Sequence, residues 1–244
     1  GMTAPLFECA DVGMAFGGRF VLQGVALAVQ PGEVLGVVGP NGAGKTTLFE
    51  ILSGRLQPTT GRVRMDGRDI TALPLHQRAR LGLARTYQSP VVPEALTVGE
   101  VFKAARQAFR PFLTAHQAEW AAHQVGLTVP LATPAGGLGT LDRRRLLLAC
   151  LLMRKPRVLL MDEPAAGLIN AEVDAIDGIL RFMARELGVA VLVVEHRLEL
   201  LAAIAHRVLV LDAGLTIAEG SPHAVFDDPK VRAAYFDAEP EAVH

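Results

Sequence analysis

No run of apolar residues in this chain approaches the roughly 18 residues that a bilayer-spanning helix needs. The longest begins at Leu146 and Arg154 ends it. A helical membrane span is therefore not expected. The high mean hydropathy, +0.31, reads as surface buried against partner subunits or simply as well-filled cores. Cysteine is scarce as well. Cys9 and Cys150 stand far apart, without metal-ligand spacing, and read as reduced thiols of a cytosolic protein. Basic clusters are few: the net charge is −1, and no Lys/Arg block stands out beyond Arg143-Arg144-Arg145. Nothing suggests a field that would hold nucleic acid. No signal peptide is expected, and Gly1 before Met2 reads as an expression scar. What is present is a chain of 244 residues, 50% hydrophobic and 20% charged, enough for one large α/β domain or a domain with a subdomain.

The stretch Gly39-Pro40-Asn41-Gly42-Ala43-Gly44-Lys45-Thr46-Thr47 fits G-x-x-x-x-G-K-[S/T], a phosphate-binding loop. Gly42 and Gly44 can take backbone angles that side chains forbid, so successive N–H groups can turn inward on an anion. Lys45 brings a positive charge to β- and γ-phosphates, and the Thr46 hydroxyl is a hard oxygen ligand suited to Mg²⁺. The flanks agree. Residues 33–38 read as a short buried strand, and residues 46–52 as a helix whose N-terminus points at the phosphates.

Before the loop, residues 6–9, 20–22 and 25–29 read as paired strands around Phe16-Gly17-Gly18. Phe16 is either a core residue at a strand end, which the local sequence favours, or an exposed stacking face for a flat base. After the loop helix, Asp66-Gly67 marks a hairpin and a short helix is expected near 74–81. Thr86-Tyr87-Gln88 ends a strand-like piece. Thr97-Val98-Gly99-Glu100 has capping-box spacing, and a second helix is expected over about 114–125. Residues 93–153 read as a helical subdomain. Its His116, Trp120 and His123 fit a helix surface with a half-buried Trp better than a ligand set.

Further along, Gly136 to Asp142 is a glycine-rich turn into a helix that Pro156 breaks. Residues 157–163 then read as a buried strand ending in Asp162 and Glu163. Four apolar residues followed by Asp place a carboxylate at a strand's C-terminal end, where open α/β sheets hold ligands. Asp162 suits Mg²⁺, and Glu163 is placed to polarise an attacking water. Residues 189–194 form another buried strand, and His196 beyond it can reach a γ-phosphate or that water. A last hairpin over 208–220 and a short helical tail close the chain.

In this order the motifs resemble the ABC-type ATPase family over nearly the whole chain. The resemblance implies an α/β fold, with a RecA-like P-loop NTPase core, an N-terminal antiparallel β subdomain and an inserted α-helical subdomain, all in one nucleotide-binding domain over 2–244. It puts Phe16 at the aromatic stacking position and Gly39 to Thr47 at Walker A. Gln88 falls at the Q-loop, Asp162 and Glu163 at Walker B and its catalytic Glu, and His196 at the switch His. Thr46, Gln88 and Asp162 would organise Mg²⁺. Phe16-Gly17-Gly18, 84–88, 162–168, Glu195-His196 and the tail from Asp228-Pro229 to Ala234-Tyr235 look like the ATP-binding subunits of branched-chain amino acid importers.

Two departures concern the cross-subunit contact. The family signature usually reads Leu-Ser-Gly-Gly-Gln; here it is Leu138-Gly139-Thr140-Leu141-Asp142. The Ser hydroxyl and a flexible Gly are gone, and Asp142 competes with a partner's phosphate for the helix dipole. Thr140 and the basic run at Arg143 are the candidates to offset it. Ile169 stands where the D-loop usually carries Asp or Asn. The expected function is ATP hydrolysis in a transporter, with ATP and Mg²⁺. Partners would be a second ATPase subunit, permease subunits and, indirectly, a periplasmic or extracellular solute-binding protein. No nucleic-acid partner is expected, and the place would be the cytoplasmic face of a bacterial inner membrane. Two alternatives stand beside it: a weakly hydrolysing regulatory partner in an asymmetric dimer, and an importer of another small polar solute such as urea or amides. A DNA-repair or translation ATPase is disfavoured, because the chain has no second P-loop and no long heptad insert.

Overall fold

The computed structural model describes residues 4–87 and 92–235. It opens on a hairpin of β1 (Phe7–Phe16) and β2 (Arg19–Val29), turned by Gly17 and Gly18 with φ of 56° and 79°. Positive φ at both central residues matches the right-handed twist of the strands. Both strands are longer than the sequence predicts. Register shifts between Cys9 and Val12, Val12 and Met14, and Met14 and Ala15 bulge β1, and so spoil the alternation that marks a strand. Next, β3 (Val34–Val38) runs through the glycine loop into α1 (Lys45–Ser53). The hairpin of β4 (Thr60–Met65) and β5 (Arg68–Asp69) turns at Asp66-Gly67 as expected, with α2 (Leu75–Arg80) and β6 (Leu83–Arg85) after it.

Two helices begin on capping boxes. At α3 (Val98–Ala108), the Glu100 N–H donates to Thr97 Oγ1 at 3.1 Å, and the Thr97 N–H to Glu100 Oε1 at 3.0 Å. Thr114 and Gln117 make the same exchange at α4 (Ala115–Gln124). Beyond them come α5 (Thr140–Leu152), β7 (Val158–Asp162), α6 (Asn170–Arg185), β8 (Ala190–Glu195) and α7 (Leu198–Ala202). The hairpin of β9 (Arg207–Asp212) and β10 (Leu215–Gly220) precedes α8 (Pro222–Phe226) and α9 (Pro229–Tyr235). The sequence reading does not single out α6 or α7.

The described strands form two sheets. The antiparallel one has the order β2-β1-β4-β5; the larger has the order β10-β9-β3-β8-β7-β6. In the larger sheet β9, β3, β8, β7 and β6 run parallel, and only β10 is antiparallel. Its parallel strands are buried on both faces, which is why β7 and β8 read as unbroken apolar runs. Alternate residues serve opposite cores. Leu160, Leu192, Val194, Leu209 and Leu211 pack with α1 and the antiparallel sheet. Leu159, Met161, Val191, Val193 and Val210 pack with α5 and α6. A slip of one residue in any of these strands would exchange the two sets. Each fully buried Val or Leu contributes on the order of 1.5–3 kcal/mol.

Candidate functional site

The phosphate loop leaves the C-terminal edge of β3 and closes on α1. Gly39 must lack a side chain, because a Cβ there would lie 2.3 Å from the Leu211 carbonyl oxygen at the end of β9. Gly44, with φ of 103°, begins α1, and a Cβ on it would meet Leu22 Cδ2 at 2.6 Å. The loop is tied from outside as well. The Gly214 N–H in the β9–β10 turn donates to Ala43 O at 2.9 Å, and the Gln23 N–H donates to Gly214 O at 2.9 Å. No side chain caps α1. The amides of its first turn are left for a ligand, and its dipole favours an anion there.

A concavity of about 290 Å³ opens over this helix end, lined by Val21, Asn41 to Thr47 and Glu163. Gly39 and Pro40 lead into it, and the Ala43 N–H donates to Pro40 O at 3.1 Å. Lys45 is buried, and its Nζ donates to Gly39 O. Burial pulls its pKa below the usual lysine value, while the carboxylates of Glu163, Asp162 and Glu195 oppose the shift.

Opposite the loop, β7 delivers the carboxylates. The Asp162 N–H donates to Thr86 Oγ1 at 3.2 Å, and the Asp162 carboxylate stands 3.9 Å from Arg85 Nη2. Burial pushes the Asp162 pKa up, Arg85 opposes it, and Glu163 adds to it. Arg85 is itself fixed by Glu50 Oε1 at 2.7 Å and Ser53 Oγ at 2.9 Å, with its guanidinium 4.5 Å from the Tyr87 ring centre. Glu163 leaves the strand with φ of 44°, a left-handed conformation that a non-glycine residue keeps only when its surroundings impose it. Its N–H donates to Val194 O at 2.9 Å, and its Oε1 is 3.1 Å from His196 Nδ1.

The remaining expected residues lie elsewhere. Phe16 ends β1 and is 51% exposed, against the core reading that its local sequence favours; it does not line the concavity. Gln88 falls outside the described residues. Leu138 is buried, Gly139 is the N-cap of α5, and Thr140, its first residue, is exposed. Asp142 pairs with Arg145 Nη1 at 3.1 Å. The counterweight thus comes from the basic run that the sequence offers, through Arg145, while Arg143 donates to Leu138 O at 3.0 Å and Gly136 O at 2.9 Å. Ile169, 67% exposed, precedes α6, where its N–H donates to Glu172 Oε1 at 3.2 Å.

Residues 22–166 match the family model described as ABC transporter. The chain belongs to the ABC transporter family. A second model, for branched-chain amino acid ATP-binding cassette transporters, matches residues 216–236. The chain is 37% identical to the high-affinity branched-chain amino acid transport ATP-binding protein BraF of Pseudomonas aeruginosa, with 96% of this chain and 98% of that one covered. It is 34% identical to the lipopolysaccharide export system ATP-binding protein LptB of Acidithiobacillus ferridurans, covering 94% and 96%. Among solved structures, the ADP conformation of MJ1267, an ATP-binding cassette of an ABC transporter, superposes with a TM-score of 0.88 at 26% identity, covering 97% of this chain and all of that one. This ABC subunit therefore binds ATP and hydrolyses it, on the P-loop α/β fold that its motifs imply.

Sequence reasoning about this ABC ATPase gives no role to Arg85 or Glu195. Both carry a signal: each is a charged residue closing an otherwise apolar, buried strand. Burial pushes the Glu195 pKa up to about 7, with the Ala165 N–H and Arg197 holding it down and the Glu163 and Asp177 carboxylates adding to the rise. A folded-state value above the unfolded one means that Glu195 contributes stability in full below about pH 4.5 and loses it as the pH rises through 7. Glu195→Gln should remove that slope. Relative to wild type, the variant should gain about 2 kcal/mol between pH 5 and pH 8 in urea unfolding. Parallel pH profiles for the two proteins would refute the assignment.

Proposed function

We propose that this chain is the ATPase subunit of a bacterial importer of branched-chain or related amino acids, working at the cytoplasmic face of the inner membrane. The observation that carries the site assignment is the convergence of Asn41 to Thr47 and Glu163 on one concavity, with His196 bonded to that carboxylate. Loop amides and Lys45 hold the β- and γ-phosphates of ATP, and the exposed Phe16 ring offers a face to the adenine.

Glu163 takes a proton from water as the water oxygen bonds to the γ-phosphorus. The bond from that phosphorus to the β,γ-bridging oxygen breaks, and its electron pair leaves with ADP. His196 orients the Glu163 carboxylate through Nδ1 and steadies the γ-phosphate through Nε2. The Thr46 hydroxyl and the Asp162 carboxylate are hard oxygen donors. Asp162, partly buried with the Arg85 guanidinium 3.9 Å away and the Glu163 carboxylate nearby, suits a divalent cation, and Gln88 would complete the set. Bound Mg²⁺ supplies charge neutralisation of the phosphates.

The partners are a second ATPase subunit, two permease subunits and, through them, a solute-binding protein. Identity to BraF over nearly the full length and the tail match over 216–236 support the amino-acid reading. A Lys45→Ala allele tests the whole assignment. The purified variant should lose about tenfold to a hundredfold in ATP affinity, the worth of one charge-assisted contact. Cells carrying it as their sole copy should lose this system's uptake of leucine, isoleucine and valine. Unchanged uptake of all three would overturn the solute assignment, and unchanged ATP affinity would overturn the site.

A further inference from the structure

The three arginines at the start of α5 have three different partners. Arg143 turns back on the carbonyls of Gly136 and Leu138, and Arg145 pairs with Asp142 on its own helix. Of the three, Arg144 reaches the turn after β7. Its Nη1 donates to Pro164 O at 2.6 Å and its Nη2 donates to Ala166 O. These two carbonyls belong to the turn that leaves Glu163. The same turn is held from its other side by Glu195, whose Oε1 accepts from the Ala165 N–H at 3.4 Å. Within it, the Ala166 N–H donates to Glu163 O at 3.0 Å. So the residues after Glu163 hang between α5 and the end of β8.

We infer that Arg144 is a positioning residue for hydrolysis, a strut through which the seating of Leu138 to Asp142 on a partner's nucleotide is felt at this chain's own Glu163. Those five residues run directly into α5, and Arg144 lies in the second turn of that helix. A planar fork that grips two carbonyls at once transmits both displacement and rotation; a single point charge does not. A helix moved by a ligand at its N-terminus must carry the turn 164–166 with it or break both bonds. Glu163, with its left-handed backbone and its bond to His196, sits at the head of that turn. Misplacing a water-activating carboxylate by about 1 Å costs on the order of a hundredfold in rate. The inference rests on the assignment of Glu163 given above.

The test uses the full chain as purified, or its complex with the partner subunits if turnover requires them. Steady-state kcat, ATP affinity and melting temperature are measured for Arg144→Met, Arg144→Lys and Glu163→Gln. Arg144→Met keeps the aliphatic stem and removes the fork. It should lower kcat by about tenfold to a hundredfold while ATP affinity stays within about twofold, the mark of an interaction made beyond the bound ground state. Arg144→Lys should fall between that variant and wild type, since an ammonium can satisfy one carbonyl but not bridge two. Wild-type kcat in Arg144→Met, or a fall in kcat matched by an equal loss of ATP affinity, would overturn the inference. If Arg144→Met fails to fold, Arg144→Lys decides: reduced kcat at unchanged affinity upholds the strut, and wild-type kcat removes it. Glu163→Gln separates the two levels. A slow Glu163→Gln beside an unaffected Arg144→Met sinks the strut alone; an active Glu163→Gln sinks the assignment beneath it.

Discussion

Glu163→Gln should bind ATP as wild type does and turn it over about a hundredfold to ten-thousandfold more slowly. The amide keeps the size and shape of the carboxylate, so the concavity over α1 and the contact with His196 persist in form. What is lost is the ability to take a proton from water. The geometry makes Glu163 the candidate base and not Asp162: Glu163 lines the loop concavity, whereas Asp162 is turned toward Arg85 and its backbone N–H donates to Thr86 Oγ1. Phosphate release under saturating ATP, beside equilibrium binding of a fluorescent ATP analogue, checks both halves. Multi-turnover hydrolysis at the wild-type rate would remove Glu163 from the chemistry and leave His196 without the role given to it here.

The largest stability effect is expected far from the chemistry. Arg78 on α2 is wholly buried, and no carboxylate among the described residues forms an ion pair with it. Its guanidinium donates to four backbone carbonyls: Ile51 O at 2.8 Å, Leu52 O at 2.9 Å, Leu73 O at 2.9 Å and Thr71 O at 3.0 Å. Two of these belong to the last turn of α1, where carbonyls have no partner within the helix and the dipole favours a cation. Burial pulls the pKa down to about 10, so the group stays charged at neutral pH. Even the helix end is shaped to it, since a Cβ on Gly54 would meet Arg78 Nε at 2.8 Å. Arg78→Ala strands these acceptors out of water and leaves a void. It should destabilise the protein by about 3–5 kcal/mol, read as a lowered urea midpoint at constant m-value. A loss below about 1 kcal/mol would mean that water replaces the guanidinium at no great cost.

What the sequence made legible was local. The phosphate loop, the Asp66-Gly67 turn and the box at Thr97 and Glu100 are each specified within a few residues, and each stands where the pattern put it. The helix α6 was legible in principle. Val173, Ile176, Leu180 and Met183 recur at helical spacing, but Gly178 and the acidic Asp174 and Asp177 thin the stripe. Other features could not be read locally. β1 hides its length behind bulges that only its two neighbours define. Arg144 looks like any surface cation until Pro164 and Ala166 are placed beside it. The substituted signature shows the same limit. The sequence named the problem, a carboxylate in a helix's first turn, and offered Thr140 and the basic run at Arg143 against it, without saying which member of the run would act. The structure answers with Arg145, one turn along, because Arg143 is committed to the carbonyls of the preceding turn. That pair is partly exposed, so it neutralises Asp142 more than it stabilises the fold.

The neighbours of β3 set an order of events during synthesis. β3 ends at Val38, yet the strands on either side of it, β8 and β9, are the sixth to last and fourth to last of the described elements. The backbone that seats Gly39 comes from Leu211, and the bond that ties Ala43 comes from Gly214. A ribosome that has delivered the whole phosphate loop has delivered neither of β3's sheet neighbours nor the Gly214 tie. Until about residue 214 has left the exit tunnel, the loop has neither flank nor tie, and β3 offers two bare apolar edges to any other unfinished chain. Nucleotide therefore cannot act as a template for early folding. It is recognised only when the last sheet closes around β3.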